Sequence, residues 1–151
     1  MNNIKIEIIN YSGKKDFLIP TYATPGSSGL DLRACLSKTV TIASQQTILI
    51  PSGIAVYIKN PNVAALVLPR SGLGHKNGIV LGNLVGLIDS DYQGQLMISL
   101  WNRSEKEFNI YPNDRIAQII FIPVIKPNFS LVKQFQTTSR SKKGFGHTGI
   151  V

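Results

Sequence analysis

The sequence predicts an all-β domain of the sandwich, jelly-roll or barrel kind, and three observations carry that expectation. Short apolar segments rich in Val, Ile and Leu recur along the 151 residues, several of them alternating apolar with polar. Clusters of Pro, Gly, Ser and Asn separate them at turn-like intervals. No long window places apolar residues at i, i+3, i+4 and i+7 between a cap and a terminating glycine, so no long amphipathic helix is expected.

Taken in order, "IKIEII" (4–9) alternates with period two and reads as a strand. "PGSSGLDLRA" (25–34) brings Asp31 out of a Gly/Ser turn into an apolar strand, where a carboxylate needs a partner. Capping of the turn's own amides and a functional role both satisfy that need. "TVTIASQQTILIPSGIAVYI" (39–58) strings β-branched residues between Pro and Gly breaks. A short helical turn is expected around Pro61 to Ala65, and then "AALVLP", "QLMISLW", "FNIYP" and "RIAQIIFIPVI" continue the strand pattern. From Gln136 onward, "QTTSRSKKGFGHTGIV" is polar, basic and glycine-rich, with Phe145 its only aromatic residue. Such a segment cannot bury enough apolar surface to order itself. The expected organisation is a folded domain over 1–135 and a flexible arm over 136–151.

The bulk properties narrow the function classes. An apolar content of 43% in a chain of this length supports one globular domain with its own core. Sixteen Lys and Arg against eight Asp and Glu leave a formal charge of +8, which favours a polyanionic partner. Only Lys14-Lys15 and Lys142-Lys143 are adjacent, so the clustered stripe of a nucleic-acid binder is not visible. The single cysteine, Cys35, excludes an internal disulfide and reads as a small core residue in a reducing compartment. The opening "MNNIKIEIIN" lacks the features of a signal peptide, and the apolar run "IIFIPVI" is too short to span a bilayer. A soluble, cytoplasmic protein is expected.

Chemistry concentrates in a few places. "GLIDSDYQGQLMIS" (86–99) sets Asp89 and Asp91 one residue apart between apolar runs. "PRSGLG" (69–74) supplies Arg70, a hydroxyl and glycines whose amides can approach an anion closely. It lacks the spacing and the lysine of a P-loop. His75 and His147 are far apart and no Cys/His cluster exists, which argues against structural zinc. Carboxylates with an oxygen-rich turn suit Mg²⁺, which keeps waters and binds mainly through substrate phosphates. The residues by themselves stop at a domain that binds a phosphate-bearing ligand.

Read together, "ATPGSSGLDLRA", "PRSGLG", "GNLVGLIDSDYQGQLMISLWN", "PNDRIAQIIF" and "RSKKGFGHTG" resemble, in order and spacing, the five motifs of trimeric dUTPases of bacterial type. The resemblance runs from Pro20 to Gly149. It implies a β jelly roll (a β-clip) assembled as a homotrimer, with active sites at subunit boundaries, Trp101 near the threefold contact and a flexible C-terminal arm. The implied reaction is hydrolysis of dUTP to dUMP and pyrophosphate with Mg²⁺ across the phosphates. That reaction limits uracil incorporation into DNA and supplies dUMP for dTTP synthesis. No membrane is involved and no nucleic acid is required.

The resemblance also assigns residues. Asp89 is implied to be the base for the attacking water on a hairpin rim, partly shielded from bulk water, while Asp91 belongs to the turn. Asn83 and the backbone from Gly82 to Asp89, including Leu87 and Ile88, would read the uracil edge, with Met97 lining the pocket and Tyr92 packing on the deoxyribose. Arg70, Ser71 and Gly72 match the phosphate loop: Ser71 would donate to the leaving oxygen, and Arg70 with Gln118 would hold the phosphates in line. Asp31 would reach Mg²⁺ through water. Arg140 and Phe145 match the arm, one clamping the γ-phosphate and the other covering the uracil. Two departures stand out: Asn113 replaces a usual glycine in the fourth motif, and Ser141-Lys142-Lys143 replace a glycine-richer stretch of the arm. The alternatives are a dCTP deaminase of the same fold and a non-catalytic dUTPase-like regulatory binding protein. Deamination would need a glutamate at the site, and none lies between Glu7 and Glu105.

Overall fold

The computed structural model describes residues 4–9, 19–138, 140–142 and 144. The first half of the chain forms β1 (Lys5–Ile8), β2 (Leu30–Arg33), β3 (Val40–Ile42), β4 (Thr47–Tyr57) and β5 (Val63–Leu68). After a helix, α1 (Ser71–Asn77), come β6 (Ile79–Leu81), β7 (Gly86–Ile88), β8 (Gln95–Asn102), β9 (Phe108–Ile110) and β10 (Arg115–Pro123). The strands make two four-stranded antiparallel sheets, β1-β4-β8-β6 and β2-β10-β5-β7, with a separate β3-β9 ribbon.

The core lies between the sheets and is built almost wholly from branched aliphatic side chains. β8 shows how the sequence builds it: Leu96, Ile98, Leu100 and Asn102 are buried, while Met97, Ser99 and Trp101 face outward. The largest fully buried side chains are all Leu and Ile, each worth about 1.5–3 kcal/mol when fully buried. Asn102 is the polar exception. Its amide nitrogen donates to the Ile42 and Lys106 carbonyls (3.0 and 2.7 Å), and its oxygen accepts from the Ser104 amide and hydroxyl. It therefore ties the ribbon to the sheet at no cost in unsatisfied polar atoms. Cys35 is buried, as its apolar setting in the sequence suggested.

Every segment with a strand pattern forms a strand, but three local expectations need correction. The helical turn expected at Pro61 to Ala65 is a β-turn: the Val63 amide donates to the Asn60 carbonyl at 3.0 Å, and β5 starts at Val63 itself. The helix lies instead at Ser71–Asn77, inside "PRSGLG". Two glycines make that stretch a poor helix former; it is held from outside, by packing of the buried Gly74 and a bond from Arg103 Nη2 to the Gly74 carbonyl at 3.3 Å. Gly78, at φ 71°, then ends it in the left-handed conformation.

The Pro and Gly of "IPSGI" do not break the strand. β4 runs through them with a register shift between Pro51 and Ala55, and Gly53 takes φ 76°. Before the bulge β4 pairs only with β8; after it, β1 joins on the other edge. β1 is exposed on both faces, with Ile6 and Ile8 still 41% and 44% exposed, so its alternation buries little among the described residues. At the other end the last strand stops at Pro123. Residues 125–138 form no regular element, and Ile125, Phe129 and Leu131 are 91%, 96% and 104% exposed.

Candidate active site

The two sheets meet at the edges formed by β6 and β7, and the chain crosses from one to the other between them. Gly82 starts the crossing, with Ser99 Oγ and Thr47 Cγ2 both 2.7 Å from where a β-carbon would stand. Leu84, at φ 63°, makes the bend, and Gly86 passes 3.1 Å from Val67 Cβ on the same measure. The expected hairpin is therefore a crossover: β6 pairs with β8 and β7 with β5, and they do not pair with each other. Ile79 and Leu81, each 1% exposed, bury β6 in the core beside β8.

A cavity of about 110 Å³ opens at this junction. Its lining combines Asn83, the Gly86–Ile88 stretch, Met97 and Ser99 over a floor that includes Val67, Leu81, Leu96 and Ile98. Among the described residues β7 pairs on one side only, so its free edge carries backbone donors and acceptors that no strand satisfies. An apolar slot of this size with a polar backbone rim suits one small planar ring. Asn83, Leu87, Ile88 and Met97, which the sequence singled out, all line this one cavity.

Leu87 also borders a neighbouring groove with Asp89, Ser90, Asp91, Lys59 and Lys126. Here the Tyr92 amide donates to the Asp89 carbonyl at 3.3 Å and the Lys59 amide to the Ser90 carbonyl at 2.8 Å, closing and anchoring a tight turn. Asp91 sits within that turn, but neither its carboxylate nor that of Asp89 has a side-chain partner among the described residues. Asp89 is exposed. Among the described residues none packs over the turn to give the partial shielding expected for Asp89. Tyr92 bonds through its hydroxyl to the Gln95 carbonyl at 3.0 Å.

A second group forms across β2, β10 and the start of α1. Asp31 Oδ1 accepts from Arg70 Nε at 2.8 Å, and its Oδ2 from Arg115 Nη1 at 3.3 Å. Arg70 Nη1 also donates to the Arg115 carbonyl at 3.3 Å. Gln118 pairs with Asp31 across the strands and donates to the Pro69 carbonyl at 3.0 Å. Its amide nitrogen retains a second donor. These contacts aim the Pro69-Arg70 corner, after which Ser71 and Gly72 are exposed at the start of α1, which has no side-chain cap. The turn's own polar groups are met by Thr24 and Ser27, so Asp31 is not its cap.

The dUTPase family model matches residues 15–149. The chain belongs to the dUTPase family. Its relatives include the deoxyuridine 5'-triphosphate nucleotidohydrolase of Buchnera aphidicola subsp. Acyrthosiphon pisum (strain Tuc7), 69% identical over 99% of this chain and 97% of that protein. The enzyme of the same name from Haemophilus ducreyi is 59% identical, covering 99% and 98%. Among solved structures, a Staphylococcus bacteriophage 80alpha dUTPase mutant with dUpNHpp shares the fold at TM-score 0.86 and 23% identity, over 99% of this chain and 100% of that one.

Against that family pattern, Asn113 takes φ 70° in place of the usual glycine, with its amide bonded to the Ala34 carbonyl at 2.9 Å. The turn survives because asparagine tolerates the left-handed region. Ser141, the residue after Arg140, takes φ 46° in the arm stretch where the dUTPase pattern is richer in glycine. Arg140 is exposed on the terminal segment and is not in the cavity lining or the Asp31 group. Phe145 lies outside the described residues.

Arg115 joins the Asp31 group although nothing in the sequence pointed to it. In a regular strand Arg115 and Gln118 point to opposite faces. A bulge between Arg115 and Ala117 restores them to one face, beside Asp31. For a metal, no group of three or more His, Cys, Asp or Glu converges among the described residues. That donor set offers no protein cage; it fits a Mg²⁺ held chiefly by phosphate oxygens and water. No helix among the described residues is long and apolar enough to cross a membrane.

Proposed function

We propose that this protein hydrolyses dUTP to dUMP and pyrophosphate. The observation that carries the reading is the cavity between the β6 and β7 edges, sized for one pyrimidine and adjoining an exposed, unengaged Asp89. The uracil enters that slot, where Asn83 and the β7 edge pair with its polar rim and Met97 packs on the ring. A cytosine presents the reversed donor and acceptor pattern and leaves those groups unpaired. Tyr92 packs on the deoxyribose and meets a 2′-hydroxyl with a clash.

Arg70 and Gln118 hold the triphosphate in line, with Arg115 beside them and Asp31 orienting both guanidinium groups. A Mg²⁺ would supply charge neutralisation on the phosphate oxygens, and Asp31 is the residue that would hold it through water. Asp89 accepts a proton from the attacking water as its oxygen bonds to the α-phosphorus. The bond from that phosphorus to the bridging oxygen breaks, and Ser71 donates to the oxygen as charge builds there. Pyrophosphate leaves and dUMP remains.

The working unit is a homotrimer with sites at subunit boundaries, in the cytoplasm. Two features favour assembly: the outward face of β4 carries exposed Leu49, and the terminal segment carries Phe129 and Leu131 with none of the described residues covering them. A single chain rarely leaves that much apolar surface open. Residues 136–151 form an arm that closes the site, with Arg140 on the γ-phosphate and Phe145 over the uracil. Incubation of the pure protein with dUTP, dCTP, dTTP and UTP in Mg²⁺ tests the reading. Pyrophosphate from dUTP alone is expected. Ammonia from dCTP would make it a deaminase, and binding without turnover would make it a regulatory protein.

A further inference from the structure

Gly94 lies in the bend between the Asp89 turn and β8. Among the described residues the glycines with positive φ are Gly53 and Gly78, so the backbone at Gly94 suits any L-residue. What excludes a side chain there is Tyr92. A β-carbon on Gly94 would stand 2.6 Å from Tyr92 Cζ and 3.0 Å from Cε2, with the hydroxyl oxygen closer still. The distal half of the ring thus rests on the bare α-carbon of Gly94. Its hydroxyl is fixed by the Gln95 carbonyl and its amide by Asp89, although the residue is 43% exposed.

We infer that Gly94 is a positioning residue for sugar discrimination: by carrying no β-carbon, it sets the seat of the Tyr92 ring against which the deoxyribose packs. The inference rests on the role of Tyr92 proposed above. A half-exposed tyrosine otherwise has several side-chain rotamers open to it. A wall that separates a 2′-hydrogen from a 2′-hydroxyl must hold its place to within about 0.5 Å. The glycine and the Gln95 carbonyl supply that precision from beneath, without touching nucleotide.

The test compares the wild type, Gly94→Ala, Tyr92→Ala and the double variant by kcat/KM for dUTP and UTP and by thermal midpoint. Gly94→Ala should lower the dUTP/UTP ratio by about tenfold or more, as the loss of one packed discriminating group does. The double variant should be no less selective than Tyr92→Ala alone, because both changes act through one ring. Likewise Gly94→Ala should lower the midpoint when Tyr92 is present and leave it unchanged when residue 92 is alanine. If Gly94→Ala does not fold, recovery of folding in the double variant supports the seat, and failure of both to fold overturns it. A ratio within about twofold of wild type, or an equal loss in both backgrounds, overturns the inference. A Tyr92→Ala enzyme with the wild-type ratio instead overturns the sugar-wall role itself.

Discussion

Asp31 sits on β2 with a guanidinium on each carboxylate oxygen, whereas Asp89 stands just past β7, exposed and without a side-chain partner among the described residues. The sequence presents both as acidic residues in apolar segments, and their surroundings separate them. Asp31 is 25% exposed and braces Arg70 and Arg115, so its charge is spent on geometry. Among the described residues Asp89 is held through its backbone alone, in a turn anchored at both ends, and no side chain engages its carboxylate oxygens. A group that is to accept a proton from water needs that freedom, and a group that aims two cations needs the opposite. The contrast is consistent with the proposed division, Asp89 for proton transfer and Asp31 for holding the phosphate-side groups in place.

The sharpest way to break the contrast is Asp89→Asn. The amide keeps shape and removes the base, so turnover should fall by at least ~10²–10⁴ with dUTP affinity and thermal midpoint nearly unchanged. Retained turnover would reduce Asp89 to a turn residue. The exposure of Asp89 also demands a cover, which the arm is proposed to supply. Removal of residues 137–151 should leave a folded trimer that binds dUMP and hydrolyses dUTP at least ~10²-fold more slowly in single turnover. Full turnover by the truncated protein would mean that Asp89 works uncovered. Across a salt series the intact protein's closure should weaken as ionic strength rises, since Lys142 and Lys143 add charge near the phosphates.

Asp31→Asn should act on the other side of the comparison. Freed guanidinium groups hold the triphosphate less well, so KM for dUTP should rise about tenfold while kcat changes less. Stability should drop by about 1–2 kcal/mol, because both ion pairs are partly solvated. A loss confined to kcat would place Asp31 in the chemical step. Asp91→Asn is the smallest case: it sits in the turn without a side-chain bond among the described residues, so unfolding should shift by about 0.5 kcal/mol or less.

Residue order alone determined that the chain is β-rich, where most strands run, and which family its motifs resemble. It did so because strand periodicity is local and because the motifs are contiguous. Asn83, Leu87, Ile88 and Met97 were legible in the same way, as one run of sequence that lines one cavity. Even the left-handed turn at Asn113 could be read from the chemistry of one side chain. Tertiary structure decided the rest. α1 forms in a glycine-rich stretch because Arg103 and the packing of Gly74 hold it, which propensity cannot show. β6 and β7 part company because they answer to different sheets, and that separation creates the cavity. Arg115 joins Asp31 only through a bulge that reverses strand parity, a one-residue irregularity without a sequence signature. The alternation in β1 is real, yet its side chains stay exposed, because burial depends on what packs against the strand and not on its own pattern.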